Sequence, residues 1–408
     1  MKKLCIIFLM PIFMWSQNLH ELLNLSLKNK FINAYEYDLE SLQYEYKGIK
    51  SGYYPKVDVG ASYSTTNKET ATVPDKSSQS YGKVSFTLFD GGKRENTFSK
   101  YKSSIKSSQS TLESVKNQVA LDVITYYYDY LSYLAQKEAK QKEIEQLDAQ
   151  YKRLSNFLDV GTVTEDELQK IISRVQSANV DLHEIELQLQ TIVHNLEYIT
   201  GESVTIEAGS NVEEPQNTSK MQRADIEALE YDLKASESST DIEKSDYFPT
   251  ISLNDTYSYY DSNYKSNQYS NNLDEQNIFS VNLAWNIFSF GETMNKTESK
   301  YKKYLSLKSN YEYEKNKANV DLQLANKAYE IGKLKIESAK AGLDAAQSAY
   351  EVIKSKFQNG LIDNVAYLEA LTEKYDAMSV LKSAQYDLQI KKATIIYYTG
   401  ENLKDYIK

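Results

Sequence analysis

"YITGE" closes at Glu202 and "YYTGE" closes at Glu401: the same ending, one residue changed, 199 positions apart. Outward from this pair, the same interval relates Gly92 in "FDGGK" to Gly291 in "FSFGE". It also relates Gly161 in "FLDVGTV" to Gly360 in "FQNGLID". Each half runs 69 residues from its first glycine to its second and 40 from its second to its third, with no insertion. Upstream, "YYPKVDV" (Tyr53 to Val59) answers "YFPTISL" (Tyr247 to Leu253) at an interval of 194. Side-chain identity is otherwise thin, so length and punctuation are what repeat. Length is held this closely when an element must span a fixed distance. The pattern is a two-unit duplication, too long per unit for a solenoid.

The N-terminus reads as a secretory leader, residues 1–16. Lys2 and Lys3 precede a twelve-residue apolar run, Leu4 to Trp15, too short to span a bilayer as a helix, and Ser16-Gln17 offers a cleavage point. Cys5, the single cysteine, lies inside that run. This argues against a lipidated N-terminus, and it leaves the mature chain without disulfides, thiolate metal sites or cysteine nucleophiles. Without Lys2 and Lys3 the chain has 45 basic and 57 acidic residues, a net of −12, which disfavours nucleic acid as a partner. Tyrosine is abundant, 35 residues against 2 tryptophans and 12 phenylalanines. It suits half-wet surfaces such as membrane interfaces and pore linings.

Residues from about Leu19 to Gly52 read as one helix, stopped before Pro55. A period of two then follows: Val57, Val59, Ala61 and Tyr63 alternate with polar residues, and after a polar loop (66–80) Val84, Phe86 and Leu88 do the same. The second half repeats the hairpin with Ile251, Leu253, Tyr257 and Tyr259, a loop over 261–276, then Phe279, Val281, Leu283, Trp285 and Ile287. Each strand has the length that crosses a bilayer at a tilt. Aromatic residues at the strand ends, Tyr53, Tyr54, Phe89, Tyr247, Phe248 and Phe288, form a candidate interfacial girdle.

No proline interrupts Gly92 to Gly161, and 69 helical residues reach roughly 100 Å. In the partner helix Gly332, Ile336, Ala339, Leu343, Ala346, Tyr350, Ile353 and Phe357 recur at alternating spacings of 4 and 3, a coiled-coil seam. The first half carries a looser version: Leu112, Val115, Val119, Ile144, Leu147, Tyr151, Leu154 and Leu158. The expected plan is a first repeat over 17–202 (hairpin 57–89), a polar linker over 203–220, a second repeat over 221–401 (hairpin 250–288) and a short tail, 402–408. Four strands cannot close a barrel. An open sheet edge cannot sit in lipid. Strands placed in a membrane must therefore be pooled by several chains: two copies give eight, and three give twelve with room for a lumen.

With these motifs in this order and spacing, the whole mature chain resembles the TolC-type outer-membrane efflux channel family. The resemblance implies a mixed α+β membrane protein: a homotrimer whose 12-stranded β-barrel stands on a periplasmic α-helical tunnel. It implies location in the outer membrane of a Gram-negative-type bacterium, with a long periplasmic extension. Its partners would be outer-membrane lipid, a periplasmic adaptor (membrane fusion) protein and, through the adaptor, an inner-membrane transporter. The helix-tip turns Val160, Gly161, Thr162 and Asn359, Gly360, Leu361 would contact the adaptor. Glu167, six after Gly161, and Glu369, nine after Gly360, match acidic positions that ring the family's closed gate. Ala366 and Ile362 depart from the family's gate pattern.

Other readings of these residues stay open. "TEDE" (Thr164 to Glu167) also reads as a capping box, with threonine at the N-cap and glutamate three later. Glu369 also reads as a solvated helix residue. No catalytic constellation emerges: His183 and His194 are eleven apart, not one turn, and "FDGGK" has too few glycines for a phosphate loop. Neither a metal, a cofactor nor an enzyme activity is expected. Three classes compete: an export duct for efflux or type I secretion, a surface-exposed structural or adhesive protein on a coiled-coil stalk, and a periplasmic enzyme. The outer loops are only about fifteen residues, small for an adhesin, and no convergent polar site supports an enzyme. The duct is the favoured reading. Its Ser-, Asn- and Thr-rich strand faces do not name a cargo.

Overall fold

The computed structural model describes residues 16–216, 223–266, 268 and 273–408. The expected leader, Ser16 apart, lies outside the described residues, as do 217–222 between the repeats. The elements are α1 (Leu19–Ser26), α2 (Lys30–Gly52), β1 (Lys56–Thr65), β2 (Lys76–Phe89), α3 (Lys93–Asp159), α4 (Glu165–Thr200), α5 (Ala224–Lys244), β3 (Thr250–Asn263), β4 (Glu275–Ala284), α6 (Glu292–Gln358) and α7 (Asn364–Thr399). Short 3-10 turns cover Ser245–Tyr247 and Leu403–Tyr406. The duplication is exact in helix length: α3 and α6 each have 67 residues, α4 and α7 each 36. Gly201 (φ 75) and Gly400 (φ 79) close the two return helices in the left-handed conformation, which accounts for the repeated "TGE".

The chain divides into two compact units. One comprises Tyr35–Thr111 and Asp225–Glu314 and holds the sheet. Its strand order is β1-β2-β3-β4, antiparallel throughout, so β2 and β3 join the two repeats and β1 and β4 are free edges. The strands are longer at their loop ends than expected: Lys76–Ser80 pair with Tyr259–Asn263 although both runs are largely polar. Ladder bonds belong to the backbone, and polarity does not stop them. At the other end β4 is shorter than expected. It pairs only to Ala284, opposite Thr250. Pro249 precedes Thr250, has no N–H to donate, and follows the 3-10 turn, so Trp285–Phe288 run on without a partner strand. Trp285 instead donates its indole N–H to the Tyr247 carbonyl, 3.1 Å.

The other unit comprises Leu112–Ala224, Lys315–Lys408 and the described part of Met1–Ala34. Its largest core unites Leu19, Leu22 and Leu23 of α1 with Val123, Ile124, Tyr127 and Tyr128 of α3, Leu196 of α4, Ile396 of α7 and Leu403. The single opening helix is overturned here. Leu27–Asn29 break it, and Asn29 caps the restart by accepting the Phe31 N–H at 2.8 Å while its amide reaches the Ile199 carbonyl. The segment after Glu202 is more than a polar linker. Gln17 bridges Ile206, and Asn211 and Lys408 exchange backbone bonds of 2.9 and 3.0 Å, so this segment ties both ends of the described chain to the core. Val204 and Val212 fill that core at 5% and 1% exposure.

The coiled-coil seam is present as read. Gly332, Ala346 and Tyr350 are buried, and Ile336, Ala339, Leu343, Ile353 and Phe357 are half-buried.

Candidate functional site

The helix tips are built twice from one backbone device. In the first, the Gly161 N–H bonds the Leu158 carbonyl and the Thr162 N–H bonds the Phe157 carbonyl, both 2.9 Å. In the second, Gly360 bonds Phe357 at 3.0 Å and Leu361 bonds Lys356 at 2.9 Å. This 6→1 and 5→2 pairing needs a left-handed residue, and Gly161 (φ 74) and Gly360 (φ 69) supply it. Val160 and Leu361 project from the turns at 71% and 72% exposure. Thr162 folds its hydroxyl back on Phe157 O at 3.0 Å, and Asn359 its amide on Ser355 O at 2.8 Å.

The two return helices start differently. Asp363 caps α7 by accepting the Ala366 N–H at 3.0 Å. Thr164 stands at the N-cap of α4 but makes no side-chain cap bond, so the capping box does not form. Its hydroxyl instead favours the ionised Asp166 carboxylate, which Lys170 also pairs at 3.2 Å, and together they hold Asp166 below the usual carboxylate range. Glu167 is half-buried in this first turn. Glu369 is exposed and opens on a groove lined by Lys170, Ser173, Arg174 and Ser177 of α4 and Val365 and Leu368 of α7. Glu167 does not line that groove. Of the girdle residues, Tyr53 is half-buried, edge-on to Phe98 at 5.4 Å and beneath the Arg94 guanidinium at 5.1 Å. Tyr54, Phe89, Tyr247, Phe248 and Phe288 are exposed.

Behind the tips, α3 meets α7 through polar side chains. Gln150 donates to Asn364 at 3.0 Å, Thr372 to Glu143 at 2.8 Å, and Ser132 to Ser383 at 2.9 Å. Glu143, 3% exposed in its side chain, also takes a bond from Lys140 at 2.8 Å, and Lys140 reaches Asp181 of α4 at 3.3 Å. Burial alone would lower the Lys140 pKa, but the bonds to Glu143 and Asp181 outweigh it and raise it. Asp376 of α7 faces the same cluster and is pushed up, first by burial and then by Glu143 and Asp181, against the pull of Lys140 and Arg174. Sequence reading missed this layer. Glu143 and Gln150 sit one residue before Ile144 and Tyr151, so they read as the solvated neighbours of the apolar seam.

An antiparallel sheet with two free edges, together with twin helical hairpins of equal length, defines the outer-membrane channel fold. The family described as outer membrane efflux protein matches residues 22–202 and 217–401, and the chain belongs to it. The fold is shared with the CmeC outer membrane channel of Campylobacter jejuni (19% identity, 94% of this chain and 85% of that one, TM-score 0.84). It is shared with VceC of Vibrio cholerae (14% identity, 94% and 96%, TM-score 0.83). It is also shared with the open state of the MtrE channel of Neisseria gonorrhoeae (15% identity, 94% and 89%, TM-score 0.78). No curated protein matches the chain in sequence. The protein is an outer-membrane export channel and not an enzyme.

Proposed function

We propose that three copies of this chain assemble into a duct that takes cargo from an inner-membrane transporter, through a periplasmic adaptor, to the cell exterior. The observation that carries the proposal is the pair of unpaired edges, β1 and β4, on a sheet of only four strands. Lipid cannot satisfy those edges. Joining β4 of one copy to β1 of the next completes a ring, and three copies supply twelve strands. The outer helices support the same head-to-tail order. Val320, Leu324, Ile331 and Leu334 form an apolar stripe on α6 at 54–66% exposure, and Val180, Leu187 and Tyr198 form one on α4 at 57–79%. Each stripe follows a coiled-coil spacing and suits a neighbouring helix.

In this assembly the helical unit extends into the periplasm and its tips, Val160–Thr162 and Asn359–Leu361, present Val160 and Leu361 to the adaptor. Tyr53, Tyr54, Phe89, Tyr247, Phe248 and Phe288 mark the level of the membrane interface. Threefold symmetry turns Glu167 and Glu369 into rings of carboxylate at the tip, which attract cations. Lys170 and Arg174 share the groove of Glu369 and weaken the field of its ring. Planar-bilayer conductance of the purified protein, with its detergent-corrected mass from the same sample, tests the duct. A trimer with discrete cation-preferring openings is expected, and a trimer that never conducts argues for a structural role. Glu167→Gln combined with Glu369→Gln should lower cation selectivity; unchanged reversal potentials in a salt gradient remove both from the gate.

A further inference from the structure

The internal duplication supplies a template for a contact that one chain cannot make with itself. Between β2 and α3, Gly91 (φ +70) is seated under the turn that precedes β3. A Cβ built on it would lie 2.5 Å from the Ser245 carbonyl oxygen and 2.9 Å from the Phe248 Cβ. The same turn recurs 199 residues later as Phe288–Glu292, with Phe290 in the place of Gly91. Its bonds recur too. Lys93 N–H reaches Asp90 O at 3.3 Å and Glu292 N–H reaches Ser289 O at 3.0 Å; Asn96 reaches Gly92 at 3.1 Å and Asn295 reaches Gly291 at 2.9 Å. The turn before the strand is likewise duplicated. Phe248 N–H donates to Ser245 O at 3.0 Å, and Tyr54 N–H to Ser51 O at 3.1 Å.

Both halves of the junction therefore exist twice, but only one pair meets within the chain. The other two lie at opposite edges of the sheet, Phe288–Gly291 after β4 and Ser51–Pro55 before β1. They are open there: Phe290 is 90% exposed and Tyr54 61%. Phe290 also holds φ at 52°, the one positive-φ non-glycine among the described residues, a backbone state that is unfavourable for a residue with a Cβ. Its ring contact within the chain is Phe288, 4.6 Å between centroids.

We infer that the Phe288–Gly291 turn of one copy seats against the Ser51–Pro55 turn of a second copy, with the Phe290 ring wedged into the seam beside Tyr54. This rests on the reading that copies join β4 to β1. The duplication names the occupant: what covers Gly91 within the chain is the Ser245–Phe248 turn, and its repeat is Ser51–Tyr54. The contact is head-to-tail, the kind that closes rings. It cannot copy the template in full, because a Cβ at position 290 placed as at 91 would strike the next copy's Ser51 carbonyl. The junction between copies is therefore wider than the junction within each, and the ring fills the difference. Tight and wide junctions then alternate around the ring.

Cysteine pairing tests this in the full-length chain, whose one native cysteine is Cys5. Tyr54→Cys with Phe290→Cys, oxidised in membranes, should give dimers and trimers on a non-reducing gel, and neither single substitution should do so. Phe290→Ala, which keeps the fold of each copy, should shorten the half-life of the assembly in SDS by about tenfold. A trimeric mass with no cross-link and an unchanged half-life overturns the seam and leaves the trimer standing. A monomeric mass overturns the strand-joining reading and this contact with it. A Phe290→Trp variant quenched by brominated phospholipid, with no cross-link from the cysteine pair, assigns the residue to lipid instead.

Discussion

Helix α7 is held on two sides by different physics. Against α6 it packs aromatic and aliphatic side chains: Tyr367 stacks on Phe357 at 4.7 Å and lies 6.1 Å from Tyr350, and Leu388 and Ile395 join Leu322, Ala325 and Tyr329. Against α3 it adds hydrogen bonds, at Asn364, Thr372 and Ser383, to the apolar contacts that Ala393 and Ile396 make in the largest core. The apolar face gains in proportion to the area it buries and tolerates some sliding. The polar face gains little net energy, but it requires each donor to meet its acceptor. The comparison teaches that apolar packing anchors α7 to both neighbours, while the hydrogen bonds to α3 set its register.

Four variants test this division, from the largest effect down. Glu143→Ala should cost about 4 kcal/mol in the opening free energy of α3 and α7 amides, because it leaves the Thr372 hydroxyl without its acceptor and the Lys140 ammonium with Asp181 as its one bonded carboxylate. Hydrogen exchange reads it, and a loss under about 1 kcal/mol would show that water replaces Glu143 at no great cost. Tyr367→Ala should cost about 3 kcal/mol, lost from α6 and α7 together. If α3 loses protection as much as α6 does, the two faces are not separate. Gln150→Leu with Asn364→Leu removes donor and acceptor together, so stability should move by less than about 1 kcal/mol. The register of α7 should loosen instead, seen as altered open probability in bilayers.

The smallest effect belongs to Asp376→Asn. The folded pKa of Asp376 is raised above 3.8, so its burial penalty applies while it is ionised and fades as pH falls through the raised value. The asparagine variant should therefore protect the seam better than the parent at pH 7. The advantage should vanish as pH falls towards 4. A difference that does not change with pH would mean that Asp376 is not ionised beside Lys140, Glu143, Asp181 and Arg174 in the folded protein.

Much of the architecture could be read along the chain because it is written in local chemistry. Aromatic-Pro stops, period-two runs, the 4,3 seam and the six paired glycines at positive φ (Gly92, Gly161, Gly201, Gly291, Gly360 and Gly400) each act within a few residues of themselves. The tips and the return helices were legible for the same reason. Three features were not. The break at Leu27–Asn29 depends on the carbonyl of Ile199, far along the chain, as the partner of Asn29. The pairing of Asn211 with Lys408 unites two polar segments that carry no pattern of their own. The Glu143 layer buries residues at positions beside the seam, where a heptad normally places solvated charge.

The sequence by itself determined the duplication, the element types, the fixed helix lengths and the location of the turns, since periodicity and glycine placement are properties of the chain. Only the tertiary structure decided which faces meet. It placed a carboxylate between three helices, ended β4 at Ala284 opposite the residue after Pro249, and left one of two duplicated junctions without its partner. Those outcomes depend on distances between residues up to hundreds of positions apart, and no local pattern encodes them.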